Sequence, residues 1–175
     1  NAADVEIAEG KYGNAGVFNG TSSNINLGKI AVPQGQSFTV GYWIKANENA
    51  DSVVVGNKDW ESGANTGWTT GIYKNAIKAN TGYGSSDTEK RADTATYALS
   101  SGEWTYFTAV FDMNSKGTST VTSYINGEEY SRKRVVAGNL ESGLDTIIGM
   151  DSAAEKRFYS GMLDEFMLCS KALTP

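Results

Sequence analysis

The sequence contains no histidine and a single cysteine. Without histidine, a catalytic site that uses the imidazole as general base or nucleophile activator is excluded. Cys169 has no partner for an intramolecular disulfide, and its apolar surroundings predict a small packing residue in the last strand. No apolar run approaches the roughly 20 residues of a membrane-spanning helix, so membrane insertion is not expected.

Positive charge is also scarce, with 15 basic residues against 20 acidic ones and a net charge of -5. Binding to nucleic acid or to an anionic membrane needs an excess of basic residues, so neither partner is expected. The 175 residues suit one domain with a substantial core. The chain begins Asn-Ala-Ala without methionine or a signal segment, which suggests one domain, residues 1–175, that is either excised from a larger protein or a mature product.

Strand patterns dominate the chain. Trp104 to Asp112 alternates between two largely apolar sets, so we expect a strand covered on both faces, and Ser37 to Lys45 alternates in the same way. Asn126-Gly127 and Lys74-Asn75 mark hairpin turns. Since no segment keeps a helical period over ten residues, the sequence predicts an all-β fold: an antiparallel two-sheet β-sandwich (jelly roll) with almost no helix.

Two polar loops interrupt the strands and contain the candidate binding residues. A sugar presents hydroxyls at its edges and C–H bonds on its faces, so its site needs an aromatic platform beside fixed polar groups. Both kinds of group, aromatic and polar, occur in two loops. One runs from Gly56 to Gly67 and is taken together with Trp68, and the other runs from Gly82 to Asp93. The predicted carbohydrate-binding residues are Lys58, Asp59, Trp60, Asn65, Trp68, Tyr83, Arg91 and Asp93.

The alternative for this region is structural: Trp60 would anchor the loop by packing inwards, and Lys58 and Asp59 would be solvated or hold the loop together. Trp43 and Trp104 lie within strands and are predicted to pack in the core or on a sheet face. Asp145, Asp151, Glu155, Lys156 and Arg157 form a mixed-sign group that is expected to be solvated.

Four motifs, in order along the chain, carry a resemblance to a known family. They are Gly10–Ala15 with Val17–Gly20; Phe38–Val40 with Trp43–Lys45; Gly102–Trp104 with Thr108–Val110 and Tyr124–Gly127; and Gly161–Phe166 before Lys171–Thr174. Together they resemble the laminin-G-like jelly-roll domains of the concanavalin A-like lectin/glucanase superfamily over nearly the whole chain.

The resemblance implies a secreted or cell-surface module that is covalently linked to a bacterial carbohydrate-active enzyme, binds glycans and holds one structural calcium ion. It places the ion between the turn at Asn19 and the carboxylate of Asp164. Relatives commonly have an extra N-terminal strand and an Asp-containing loop before the Gly-Lys-Tyr-Gly motif, whereas only residues 1–9 precede that motif here.

Catalysis is not expected. The related glucanases carry carboxylates at alternating positions of one strand, whereas here Met162, Asp164 and Phe166 are predicted to share a face and Glu165 to point the opposite way. Our leading hypothesis is therefore a monomeric, non-catalytic, lectin-like module that targets a linked enzyme to a glycan. The alternative is a structural or protein-interaction domain that binds no sugar.

Overall fold

A computed structural model describes residues 1–32, 34–48, 51–84, 87–113, 118–136 and 138–174. The strands are β1 (Ala2–Ala3), β2 (Glu6–Glu9), β3 (Asn14–Asn19), β4 (Asn24–Asn26), β5 (Phe38–Ala46), β6 (Asp51–Gly56), β7 (Gly67–Tyr73), β8 (Ala76–Gly82), β9 (Arg91–Asp93), β10 (Tyr97–Ala98), β11 (Trp104–Asp112), β12 (Ser119–Ile125), β13 (Glu128–Val135), β14 (Ile147–Ile148) and β15 (Ser160–Cys169). A 3-10 helix, Thr88–Lys90, precedes β9. Residues 85–86 of the second candidate loop lie outside the described residues.

The described strands form two antiparallel sheets, which confirms the predicted sandwich. One has eight strands in the order β1-β4-β14-β6-β7-β8-β10, with β9 also paired to β8. The other has seven strands in the order β13-β12-β11-β5-β15-β3-β2. None of the helices described is long and apolar enough to cross a membrane. The exposed strands β1 and β2 were missed because residues 1–9 have no burial pattern to reveal them.

Both predicted hairpin turns are confirmed. Lys74 and Asn75 join β7 to β8 with φ angles of 51° and 60°, and Asn126 and Gly127 join β12 to β13 with φ angles of 51° and 87°. Positive φ at both central residues is the geometry whose twist matches two paired strands, and it favours asparagine and glycine. These turns fix the register of the two hairpins.

The core lies between the sheets. Phe107, Ala109 and Phe111 of β11 face inwards and are buried, whereas Trp104, Tyr106 and Thr108 on the opposite face are only half-buried. The prediction that both faces of β11 are covered is therefore only partly correct. The inward face meets a cluster of apolar side chains contributed by β5, β6, β7 and β8.

The last strand departs from the predicted alternation. Asp164 of β15 lies opposite Trp43, but Met167 lies opposite Gly41, so one extra residue is accommodated between them. Glu165 takes φ = 49° at this bulge. Phe166 consequently turns to the core and stacks on Tyr42, with 6.3 Å between ring centroids. The prediction that Asp164 and Phe166 share a face was wrong, because the bulge shifts the pleat by one residue.

Candidate functional site

The outer face of the eight-stranded sheet carries a row of polar side chains. Ile72 of β7 and Ile77 of β8 are fully buried in the core, so the residues that flank them point outwards. Directly opposed residues share a face, and the pairs are Asp51 with Tyr73, Gly71 with Lys78, and Asn80 with Asp93. The sheet thus presents the side chains of four neighbouring strands, β6 to β9, on one surface.

The loop between β6 and β7 lies over this surface and encloses a pocket of about 240 Å³. We call it the outer pocket. It is lined by Asp51, Lys58, Trp60, Glu61, Gly63, Tyr73, Lys78, Asn80, Arg91, Asp93 and Arg157. Four of these, Lys58, Trp60, Arg91 and Asp93, are among the predicted binding residues.

Trp60 forms one wall of the outer pocket and is half-buried. Its backbone N–H donates to the Asp151 carboxylate at 3.1 Å. The ring lies against the backbone of Gly71, where a Cβ atom would come within 2.6 Å of a ring carbon. The Lys78 ammonium lies 5.5 Å from the ring centroid. Trp60 therefore anchors the loop and still presents part of its indole to the pocket. Its position is compatible with both predicted alternatives, the loop anchor and the aromatic platform.

Lys58 is almost fully buried, with 1% of its surface exposed. Its ammonium donates to the carbonyls of Gly63, at 3.0 Å, and of Asn65. Asn65 in turn donates to the Asp59 carbonyl at 3.3 Å, and the Asp59 carboxylate accepts the Glu61 N–H at 2.9 Å. Lys58, Asp59 and Asn65 thus hold the loop in shape, so their hydrogen-bonding groups are largely used within the loop.

Burial lowers the pKa of Lys58 to about 8, from an ordinary value of 10.5. Between pH 8 and 10.5 the unfolded chain keeps a proton on Lys58 that the folded chain has lost. We therefore expect the free energy of unfolding to rise with pH in this window, by at most about 3 kcal/mol. Below pH 8 both states are protonated, and above 10.5 both are neutral. Urea unfolding at several pH values between 7.5 and 10.5 measures the rise.

The matched comparison is Lys58→Met against Lys29→Met, because Lys29 is exposed. Lys58→Met should flatten the rise, and Lys29→Met should keep it. Tyrosine ionisation near pH 10 affects both variants alike. Equal slopes in the two variants would assign the pH dependence to other groups.

Two ionic networks border the outer pocket. Asp93 accepts from Lys78 at 2.7 Å and from Arg91 at 2.6 Å. Burial alone would raise the pKa of Asp93, but these two cations outweigh it, and the pKa is lowered. Arg157 bonds the Asp51 carboxylate and also Glu61, at 3.2 Å. The hydrogen bonds from Lys156 and Arg157 lower the pKa of Glu61. The carboxylates of Asp93 and Glu61 are therefore held in their charged form.

Three buried polar atoms of the outer pocket have no hydrogen-bond partner in the described part of the chain: Asp51 Oδ1, Asn80 Oδ1 and Arg157 Nε. Asn80 is 2% exposed, and its amide nitrogen donates to the Ala92 carbonyl at 3.2 Å. Its oxygen is left without a donor. A buried polar group without a partner costs about 1–3 kcal/mol, so two acceptors and one donor are available here for a polar ligand.

The comparisons with known proteins agree with this architecture. The family model described as the concanavalin A-like lectin/glucanases superfamily, Laminin_G_3, matches residues 19–175. The chain belongs to this superfamily. The superfamily assignment confirms the resemblance that the four motifs carry. Comparison with curated proteins finds no match.

Several solved structures share this superfamily fold. The binding domain of Paraclostridial Mosquitocidal Protein 1 has a TM-score of 0.71 and 19% identity, covering 99% of this chain and 44% of that one. Domain 4 of AbnA, a GH43 extracellular arabinanase from Geobacillus stearothermophilus in complex with arabinotriose, has a TM-score of 0.67 and 23% identity, covering 99% and 78%. The receptor binding domain of botulinum neurotoxin type G has a TM-score of 0.69 and 14% identity, covering 99% and 42%.

The similarity to these solved structures shows the fold of the chain. The chain spans less than half the length of the binding domain of Paraclostridial Mosquitocidal Protein 1. As the names of these proteins indicate, the fold serves as a binding domain in proteins with different partners. The site itself must therefore support any assignment of a ligand.

Two predicted binding residues lie on the opposite side of the sheet from the outer pocket. Trp68 is fully buried and packs against Phe38 and Phe111, with ring centroids 5.1 and 5.8 Å away. Its prediction as a sugar platform was wrong, because the pleat of β7 turns it into the core. Tyr83 packs against the core and donates to the Met113 sulfur at 3.4 Å. Burial raises the pKa of Tyr83 to about 12.

The pocket's other seven residues were not among the predicted binding residues. They are Asp51, Glu61, Gly63, Tyr73, Lys78, Asn80 and Arg157. The alternation in β7 and β8 could have assigned Tyr73, Lys78 and Asn80 to the outer face. Arg157 was predicted to be solvated, yet it lines the pocket. Asp151, from the same mixed-sign group, is fully buried and accepts the Trp60 and Ala153 N–H groups, so that prediction was also wrong.

The two predicted calcium ligands do not share a site. Asn19 lies opposite Ser160 in the β3–β15 pair, so Asp164 is four strand residues away, or about 13 Å. Asn19 Oδ1 accepts N–H groups from the loop that follows it, and both Asp164 oxygens accept backbone N–H groups. The described residues contain no group of three or more His, Cys, Asp or Glu side chains suited to a metal. These two residues therefore do not fit a shared ion.

Proposed function

We propose that this chain is a non-catalytic, lectin-like module that binds a glycan in the outer pocket. The observation that carries the proposal is the partly exposed indole of Trp60 beside three buried polar atoms that lack partners. An aromatic face suits the C–H face of a sugar ring, and fixed donors and acceptors suit its hydroxyls. The combination favours a polar ligand with one apolar face over a purely apolar one.

The unpartnered atoms match the chemistry of hydroxyl groups. A hydroxyl both donates and accepts, so adjacent sugar hydroxyls can donate to Asn80 Oδ1 and Asp51 Oδ1 and accept from Arg157 Nε. The pocket's 240 Å³ favours one sugar unit inside it, with the rest of the glycan lying outside.

The charge state of the pocket supports binding over hydrolysis. Glycoside hydrolysis needs one carboxylic acid whose pKa is raised so that it can protonate the leaving oxygen. In the outer pocket the pKa values of Asp93 and Glu61 are lowered, and Asp51 is paired with Arg157. These carboxylates suit acceptors for sugar hydroxyls.

The test is a glycan array followed by calorimetry on the strongest ligand, with arabinotriose as the first individual probe because the AbnA domain was solved with it. We expect at least one glycan to bind with a dissociation constant at or below the millimolar range, and Asn80→Ala to weaken that binding at least tenfold. An array without a hit, or unchanged binding by Asn80→Ala, would reject the outer pocket as a glycan site.

Gly63 offers a separate test of the pocket wall. A Cβ atom at Gly63 would overlap the Arg91 guanidinium, which is the end of a flexible side chain and can move away. We expect Gly63→Ala to weaken glycan binding roughly three- to tenfold by displacing this cation, at a cost of less than about 1 kcal/mol in stability. Calorimetry measures the first effect and urea unfolding the second.

The double variant gives the control. If Gly63→Ala acts through Arg91, then Gly63→Ala with Arg91→Ala should bind no more weakly than Arg91→Ala alone. Additive losses would mean that Gly63→Ala deforms the loop instead.

The proposed setting is extracellular: a secreted or cell-surface protein in which this module, as a monomer, holds a covalently linked enzyme close to its glycan. The physical benefit is an increased effective concentration of substrate around the enzyme. Calcium is no part of the proposal, since its predicted ligands do not fit a shared ion.

A protein-interaction function is the second candidate, and one surface favours it. On the outer face of the seven-stranded sheet, the ring of Trp43 contacts those of Tyr12 and Tyr106, with ring centroids 6.0 and 5.3 Å away. Tyr12 is 58% exposed. Exposed clustered aromatic rings are typical of protein interfaces. If Trp43→Ala impairs the parent protein's activity while Asn80→Ala does not, this second function is favoured.

A further inference from the structure

A larger cavity lies on the other side of the eight-stranded sheet from the outer pocket. It has a volume of about 580 Å³, opens between the two sheets and is bordered on one side by Leu27, residues 30–32 and Gln36. Phe38 and Phe166 contribute to its lining from the seven-stranded sheet, and Trp68 contributes from the eight-stranded one. We call it the apolar cavity. Its volume is within the range of small-molecule sites.

No charged side chain lines the apolar cavity among the described residues. Its walls are formed mainly by aliphatic and aromatic residues, and the polar residues among them, Gln36, Cys169 and Ser170, are uncharged. Leu27, at the cavity, remains 39% exposed. A charged ligand would lose its hydration here without gaining a counter-ion, so the lining favours a neutral ligand.

The indole of Trp68 adds a directional requirement. Its Nε1–H is buried and has no acceptor in the part of the chain that the structure describes. A buried donor without an acceptor costs about 1–3 kcal/mol, and Trp N–H groups usually find a partner when buried. A ligand that carries one hydrogen-bond acceptor would remove this cost.

We propose that the apolar cavity is a second binding site, which takes a small neutral apolar molecule whose single carbonyl or ether oxygen accepts from Trp68 Nε1. The site is independent of the glycan site: the two cavities share no lining residue and lie on opposite faces of β7. The charge-free lining selects against carboxylates, and the indole N–H selects for an acceptor over a plain hydrocarbon.

The experiment compares three probes of similar length: 2-nonanone, nonane and nonanoate. The chain has four tryptophans, so 15N-labelled indoles give four N–H signals, and Trp68→Phe assigns the one from Trp68. We expect 2-nonanone to shift the Trp68 signal well beyond the other three, and to bind at least fivefold more tightly than nonane and nonanoate.

Two variants separate the parts of the proposal. Trp68→Phe keeps an aromatic wall but removes the N–H, so it should bind 2-nonanone and nonane about equally. Ala31→Phe places a large side chain at the exposed cavity residue Ala31, so it should abolish binding of 2-nonanone and leave glycan binding unchanged. The proposal is overturned if 2-nonanone leaves the Trp68 signal unmoved, if nonane binds as tightly as the ketone, or if Ala31→Phe binds the ketone like the unaltered chain.

Discussion

Replacing Trp68 with alanine is expected to destabilise the fold by about 3–5 kcal/mol, the range for removing a large aromatic side chain from a packed core. Trp68 is fully buried, and its ring packs against Phe38 and Phe111 from the opposite sheet. Alanine would leave a void next to the apolar cavity and remove contacts between the two sheets. Urea unfolding followed by circular dichroism measures the loss.

The matched control is Trp60→Ala, which removes the same side chain from the outer surface of the same sheet. We expect it to cost about 1–2 kcal/mol, because the Trp60 ring is only half-buried. Trp68→Phe should cost less than Trp68→Ala, because most of the ring volume remains. If the two alanine variants were equally stable, the opposite placement of the two indoles would be disproved.

The sequence contained enough information to place Trp68 correctly. Ile72 lies four residues later in the same strand, so both side chains share a face. Since Ile72 is a β-branched apolar residue in a hairpin with Ile77, that face is the buried one. The prediction began this strand at Trp68, one residue after the observed start at Gly67, but also counted Trp68 with the binding loop that precedes it. Treating the first residues of a strand as part of a loop thus changed a core residue into a proposed ligand contact.

The fold was predictable because its signals are local. Alternation from Trp104 to Asp112 and the turns at Lys74-Asn75 and Asn126-Gly127 each act over a few residues, and all were confirmed. The bulge at Glu165 was not predictable in this way. Asp164, Glu165 and Phe166 include neither glycine nor proline to mark an irregularity, and the extra residue is revealed only by the pairing of β15 with β5.

The outer pocket was predictable only in part, with four of its eleven lining residues among the predicted ones, for a related reason. Lys58 and Trp60 stand out in one loop, and Arg91 and Asp93 in another, so a search for polar loops finds them. Asp51 and Arg157 are 106 residues apart and meet only through tertiary packing. No pattern in a single sequence connects them. Which polar atoms remain without a partner is likewise a property of the folded chain alone.

Trp60→Ala is expected to weaken glycan binding about 10- to 30-fold, a large effect on the proposed function. Losing an indole that packs against one sugar face removes about 1.5–2 kcal/mol of binding free energy. The ring stands at the wall of the outer pocket, supported from behind by Gly71. Calorimetry with the strongest glycan on the array measures the change.

Trp104→Ala is the control for this measurement, because Trp104 is a half-buried indole on the outer face of the other sheet, where Lys45 lies 6.0 Å from its ring. It should leave the affinity unchanged within about twofold. Trp60→Phe separates stacking from loop support: a ring remains at the wall, so affinity should fall less than with alanine. If Trp104→Ala weakens binding as much as Trp60→Ala does, the glycan contacts the seven-stranded sheet, and the outer pocket is excluded as its site.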